Sequence, residues 1–143
     1  MSSARTGQVQ VVVMRPTESG WQVLVLKRNA AKGGFWQPVT GGIDPGELPP
    51  TTAIRELGEE LGLTGPVELI DPGYHFSFTE GTVTLREDVY GVVVVEDWEP
   101  VLSDEHDDYA WLSLDEALER LKYDSNKASV RRVHQVVTGE PGE

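Results

Sequence analysis

The sequence predicts an α/β fold: one mixed β-sheet with helices packed on its faces. Three observations lead there. β-branched apolar runs bounded by turn residues recur along the chain. Amphipathic segments with helix-start and helix-stop residues fall between and after them. The two kinds interleave without the regular strand–helix–strand alternation of a purely parallel sheet.

Residues 9–14 form an apolar strand run. Residues 21–26 alternate Trp21, Val23 and Val25 against Gln22, Leu24 and Leu26, and 16–20 suits a turn, so the chain is expected to open on a hairpin. Residues 29–34 read as loop. The segment 35–40 leads into a second loop, 41–50, which holds three glycines and three prolines. Thr51 or Thr52 is expected to cap a helix reaching about Leu61, with Gly62 as its stop. Strands return at 67–70, 74–79, 83–85 and 89–95, and 107–112 is a short strand with Tyr109 and Trp111 on one face. Ser113, with Glu116 three residues on, signals a helix N-cap, and a last helix is expected over 126–137.

The chain has 143 residues, enough for one domain over 1–143 with its own core; 1–6 and 139–143 are expected to be loose ends. No apolar stretch approaches the roughly 18 to 20 residues of a membrane helix. No apolar region follows the first residues, so no secretory signal is expected and the cytoplasm is the expected setting. The absence of cysteine excludes disulfides, thiolate metal sites and a cysteine nucleophile. A net charge of -12 with no basic stripe argues against duplex nucleic acid as a partner.

The acids cluster. In the helix ending near Leu61, Ile54, Leu57 and Leu61 are expected to form the core stripe, while Glu56, Glu59 and Glu60 share another face. Like charges at that spacing cost a few tenths of a kcal/mol per pair. Glu59 and Glu60 also oppose the helix dipole, and Gly58 costs about 1 kcal/mol relative to alanine. A divalent cation would reverse the electrostatic terms. Hard cations such as magnesium take one or two carboxylates together with waters and phosphate oxygens. The loop Thr40-Gly41-Gly42-Ile43-Asp44-Pro45-Gly46-Glu47 can bring backbone groups close to the same ion.

Gly41, five residues, Glu47, seven residues, Arg55-Glu56-Leu57, one residue, Glu59-Glu60, one residue, Gly62-Leu63 resembles a complete Nudix box. A random match in a chain of this length is on the order of one in ten million, so the chain is identified as a member of the Nudix hydrolase family. The resemblance implies an α/β/α sandwich around the mixed sheet. It also implies a pyrophosphohydrolase using Mg2+, with Mn2+ an alternative, on a small phosphorylated metabolite. By the same resemblance, Glu56, Glu59 and Glu60 would bind metal, with a backbone carbonyl at Thr40 or Gly41 completing the shell. Arg55 would orient the glutamates, and Gly42 and Glu47 would support the loop. Glu105 sits where some relatives carry a further catalytic or metal-binding glutamate. His106 reads as a solvated loop histidine. Catalysis by such residues needs cations to neutralise a polyanionic substrate and a carboxylate to take the proton of the attacking water.

The flanks are similar to dihydroneopterin triphosphate and dATP pyrophosphohydrolases: Phe35-Trp36-Gln37-Pro38-Val39-Thr40-Gly41-Gly42, the strand before it, Glu105-His106, Tyr109-Ala110-Trp111-Leu112 and Ser125-Asn126-Lys127. That resemblance makes Lys27 and Arg28 candidate phosphate contacts and Phe35 and Trp36 candidate ring-stacking residues. Lys122, Lys127, Arg131 and Arg132 are candidates for the far end of the cleft. A diadenosine polyphosphate hydrolase is the alternative reading, because the Tyr-Ala-Trp strand also occurs there. A non-catalytic Nudix-fold sensor is the alternative of another class, and it would predict a degraded box. The sequence leaves a homodimer open.

Overall fold

A computed structural model of the chain describes residues 7–140. The expected loose ends at 1–6 and 141–143 lie outside the described residues. Gly139, expected in the loose tail, instead caps the last helix in a left-handed conformation.

Seven strands make one mixed sheet: β1 (Gly7–Thr17), β2 (Gly20–Arg28), β3 (Trp36–Gln37), β4 (Val39–Ile43), β5 (Ile70–Glu80), β6 (Val83–Val93) and β7 (His106–Leu112). The main order is β3-β2-β1-β6-β5, with β4 pairing β1 and β7 pairing β2. β1 and β6 run parallel and the other pairs antiparallel. Three helices, α1 (Pro49–Leu61), α2 (Leu114–Arg120) and α3 (Asp124–Thr138), complete the fold.

The period-two alternation of the strands builds two cores. Val9, Val11 and Val13 of β1 and Leu24 and Leu26 of β2 pack with Ala53, Leu57 and Leu61 of α1. Val12 and Met14, with Val23 and Val25, pack with Ala117 of α2 and Val130 and Val133 of α3. The result is the expected sandwich of helix, sheet and helices.

Several boundaries differ from expectation. The hairpin turn is shorter, because Pro16 and Thr17 remain in β1 and pair with Trp21 and Gly20. Residues 41–43, expected as loop, belong to β4 and pair with Val9, Gln8 and Gly7. The strands expected at 83–85 and 89–95 are one strand, since Arg86, Glu87 and Asp88 also pair across to β5. α1 starts at Pro49, with prolines in its first turn and no side-chain cap on Leu48. Proline is preorganised for that place, which leaves the Thr52 hydroxyl to donate to Glu47 Oε1 at 2.7 Å instead of capping. Ile54, expected in the core, is 42% exposed, and Ala53 is buried in its place. The Ser113–Glu116 capping box is present as expected.

Candidate active site

α1 turns an unusual face inward. Glu56 and Glu60 are 7% and 5% exposed, beside Ala53 and Leu57, while Glu59 stays largely in solvent. The helix ends at Gly62, whose φ of 70° suits glycine, and its N–H bonds back to Gly58 O. Val101 N–H and Ser103 N–H then donate to the carbonyls of Leu61 and Glu60 at 2.9 and 3.3 Å. Those bonds satisfy helix-end acceptors and tie the acidic loop before β7 to the end of α1.

Arg55 organises the carboxylates. Its guanidinium donates to both oxygens of Glu47 (2.8 and 2.9 Å), to Glu56 Oε2 (3.0 Å), to Glu59 Oε1 (3.2 Å) and to Gly42 O (3.0 Å). The Arg55 guanidinium, the Thr52 hydroxyl and the Asp44 N–H hold the Glu47 carboxyl at about 2. Burial pushes Glu56 the other way, to about 7; Arg55 opposes the shift, and the neighbouring charges of Glu59 and Glu60 add to it. Burial would also raise Glu60, but His106 and Ser103 outweigh it and hold that carboxyl below its ordinary value.

Two cavities share Gln8, Arg28 and Thr40 in their walls. The smaller, about 230 Å³, brings together Gly41, Gly42, Glu56, Glu59, Glu60 and Glu105. Thus the acidic residues expected from the box and from the later loop meet at one place. The larger, about 590 Å³, has Phe35, Phe76, Phe78 and Tyr123 among its walls, with Gln37, Glu87 and Asn126. Phe35 and Tyr123 meet edge to face at 5.2 Å, and the Lys122 ammonium lies 5.4 Å from the Phe35 ring centre.

Other candidates lie elsewhere. Trp36 lines neither cavity; it packs into the α2–α3 side of the core, with the Arg120 guanidinium 4.9 Å from its ring centre. Lys27, opposite Trp36 and Asp108 in the sheet, lines neither cavity. A bulge between Lys27 and Arg28 separates their courses, and only Arg28 reaches the cleft. Lys127, Arg131 and Arg132 line neither cavity, and Arg132 donates to Pro72 O at 3.4 Å.

His106 corrects its reading as a solvated histidine. It is 6% exposed, with Nδ1 3.1 Å from Glu60 Oε1 and Nε2 3.4 Å from Gln37 Nε2. The acids around it in sequence disguised a buried position. Glu87 was also missed. It is 4% exposed and accepts from Gln8 Nε2 at 2.9 Å and Gln10 Nε2 at 2.7 Å. Its signal was legible, because it shares the inward parity of Leu85 and Val89 in an alternating strand.

The donor set suits a hard divalent cation. Among the described residues no three Asp, Glu or His side chains converge into a complete cage, and magnesium needs only one or two carboxylates besides water and phosphate. Burial raises Glu56 further than the contacts from Arg55 lower it, and a cation beside the carboxylate would favour its charged form. A β-carbon on Gly41 would overlap the Glu56 carboxylate, so the glycine makes room for that acid against the strand.

Known proteins share the sequence pattern and the fold of this chain. The NUDIX domain profile matches residues 5–133. The chain is 37% identical over 132 residues to an octanoyltransferase of Myxococcus xanthus, covering 90% of this chain and 36% of that longer protein. It is 32% identical over 135 residues to the dihydroneopterin triphosphate diphosphatase of Haemophilus influenzae, covering 85% of this chain and 84% of the relative. It is 33% identical over 112 residues to the asymmetrical bis(5'-nucleosyl)-tetraphosphatase of Rattus norvegicus, covering 74% of each. The structure of the E. coli dihydroneopterin triphosphate pyrophosphohydrolase superposes with a TM-score of 0.78 at 26% identity, covering 92% of this chain and 97% of that one. With its box intact and its acids gathered against β4, the chain belongs to the Nudix hydrolase family.

Proposed function

We propose that this chain is a magnesium-dependent pyrophosphohydrolase that cleaves a diphosphate linkage in a nucleoside-triphosphate-like metabolite, either a nucleotide or dihydroneopterin triphosphate. The observation that carries this reading is the place of Arg28. It stands in the wall of both cavities, and its buried Nε has no hydrogen-bond partner among the described residues. A guanidinium between an acidic cavity and an aromatic one is suited to a phosphate chain that runs from a metal site to a ring. Phe35 supplies the ring-facing surface. The size of the larger cavity, about 590 Å³, suits a small heterocycle.

Glu56 and Glu60 would hold the ion, with Glu59 and the Thr40 or Gly41 carbonyl as further ligands. Bound there, the cation would screen the diphosphate charge and lower the pKa of a coordinated water. Arg55 keeps the carboxylates in place through contacts to Glu47, Glu56 and Glu59. Glu105 is assigned to accept a proton from the attacking water at its carboxylate. A small-metabolite substrate fits the cytoplasmic setting expected from the sequence.

A diadenosine polyphosphate is the second reading, favoured by the 33% identity to the rat tetraphosphatase. The test is turnover of nucleoside triphosphates, dihydroneopterin triphosphate, diadenosine tetraphosphate and ADP-ribose with magnesium, using Glu60→Gln as control. Pyrophosphate and a monophosphate from a triphosphate support the first reading; ATP from diadenosine tetraphosphate supports the second. Tight binding without turnover of any of them would replace both with a ligand-sensing role.

A further inference from the structure

The protein's contacts to the Glu60 carboxylate fall on one oxygen. Ser103 Oγ donates to Oε1 at 2.7 Å, and His106 Nδ1 lies 3.1 Å from the same atom. Oε2 has no polar contact among the described residues, and Glu60 lines the acidic cavity. On its other side the imidazole meets Gln37, with the two Nε2 atoms 3.4 Å apart. With the Gln37 amide nitrogen turned to the ring, a neutral imidazole accepts at Nε2 and carries its hydrogen on Nδ1. That buried Nδ1 makes no aligned hydrogen bond among the described residues, and the polar atom beside it is Glu60 Oε1. Gln37 itself is 5% exposed and lines the larger cavity.

We propose that His106 is a positioning residue. Held by Gln37 with its hydrogen on Nδ1, it anchors Glu60 through Oε1 and so presents Oε2 to the metal and phosphate cavity. The same turn carries Glu105. His106 N–H bonds to Ser103 O and Glu105 N–H to Ser103 Oγ, both at 3.3 Å, while Glu105 O accepts from Asn29 N–H at 2.9 Å. Anchoring Glu60 therefore also fixes the loop that brings Glu105 to the cavity. A chain of three side chains, Gln37, His106 and Glu60, links the wall of the ring-sized cavity to the carboxylate of the acidic one. Partners of this kind behind a metal ligand hold its orientation, and their loss commonly weakens metal binding about 10- to 100-fold.

This inference rests on the metal-dependent reading of the site, and the test separates the two. Mn2+ binding to the substrate-free protein is measured by calorimetry for the wild type, His106→Ala and His106→Asn, with circular dichroism as the check of folding. The expected result is Mn2+ binding weakened about 10-fold or more in His106→Ala and largely restored in His106→Asn, whose amide nitrogen reaches the place of Nδ1. With saturating metal, kcat falls in His106→Ala while KM stays within about twofold, as expected when a positioned group rather than substrate binding is lost. Equal Mn2+ affinity in a folded His106→Ala overturns the positioning role and leaves the metal reading intact. No Mn2+ binding by the wild type overturns the metal reading itself. The imidazole ¹⁵N shifts of the wild-type protein give a check that needs no variant: hydrogen on Nδ1 is expected, and a ring carrying it on Nε2 alone would sink the proposal.

Discussion

The carboxylate of Glu56 occupies the space that a β-carbon on Gly41 would fill. A strand residue and a helix residue are fitted together there at atomic contact. Gly41 has no left-handed φ, so its requirement for glycine is one of space. Gly41→Ala is expected to leave the fold in place and push Glu56 aside. A displacement of about 1 Å at a reacting group can cost about 100-fold in rate. Turnover at saturating magnesium measures it, with thermal melting as the control. An alanine variant with wild-type turnover would show that Glu56 need not lie where the structure puts it.

Arg55 reaches Glu47, Glu56, Glu59 and Gly42 O at once, through three different nitrogens. A lysine ammonium has one nitrogen and cannot span them. Arg55→Lys is therefore expected to lose activity although charge is kept. Glu47→Gln removes the partner that holds Arg55 through both oxygens. Because the two residues form one network, their effects on kcat/KM should be non-additive in a double-mutant cycle, the double variant losing clearly less than the product of the two single losses. Strict additivity would mean that Glu47 acts apart from Arg55.

Two glutamates give the metal-free protein opposite pH limbs. Glu47, lowered to about 2, contributes stability that is complete above its ordinary 4.5 and lost as pH falls toward 2. Glu56, raised from 4.5 to about 7, keeps its proton in the folded state after the unfolded chain has released it. Between those values the folded state binds more protons, so stability falls as pH rises. Urea melts of metal-free protein should show lower stability at pH 8 than at pH 5, with the drop reduced in Glu56→Gln. Magnesium should stabilise the wild type more at pH 8, where the carboxylate is ionised. An alkaline limb unaltered by Glu56→Gln would assign it to the general self-repulsion of a chain of net charge -12.

How far the sequence disclosed this site depends on distance along the chain. The box lies within one continuous segment, so helix periodicity was enough to put Glu56, Glu59 and Glu60 on one face, and the resemblance to the Nudix box added Arg55 beside them. The run 9–14 was legible as a strand, but being apolar on both faces it did not show that 9, 11 and 13 enter one core and 12 and 14 the other. The contacts that escaped notice are tertiary. His106 meets Glu60 across 46 positions because the end of α1 binds the loop before β7. Ile54 was misplaced because the core stripe of α1 runs through Ala53, Leu57 and Leu61, and the width beside it is taken by the buried acids Glu56 and Glu60, where apolar patterning expects none. Functional sites are where local rules are broken in this way.

Glu105 shares the acidic cavity with Glu56, Glu59 and Glu60. If it accepts the proton of the attacking water, Glu105→Gln should lower kcat by about 100- to 10,000-fold with Mn2+ affinity little changed. Single-turnover measurement at saturating metal reads the chemical step directly. Unchanged turnover would remove Glu105 from catalysis and pass the proton to an acid of the box.

Phe35 and Trp36 are adjacent in sequence and divided by the structure. Phe35 faces the larger cavity beside Tyr123, whereas Trp36 packs toward α2 and lines neither cavity. Phe35→Ala removes a ring-facing surface, and aromatic stacking on a base is worth about 1 to 3 kcal/mol. It should therefore raise KM by roughly 5- to 150-fold with a smaller change in melting temperature. Trp36→Ala removes core packing and should destabilise by about 3 to 5 kcal/mol at full burial, and by less here because Trp36 is only partly buried. Its KM, measured well below the melting temperature, should stay near that of the wild type. The two variants thus exchange effects between binding and stability. If Trp36→Ala raised KM as much as Phe35→Ala, the ring of the substrate would lie on the α2 side of the sheet, and the larger cavity would not be its site.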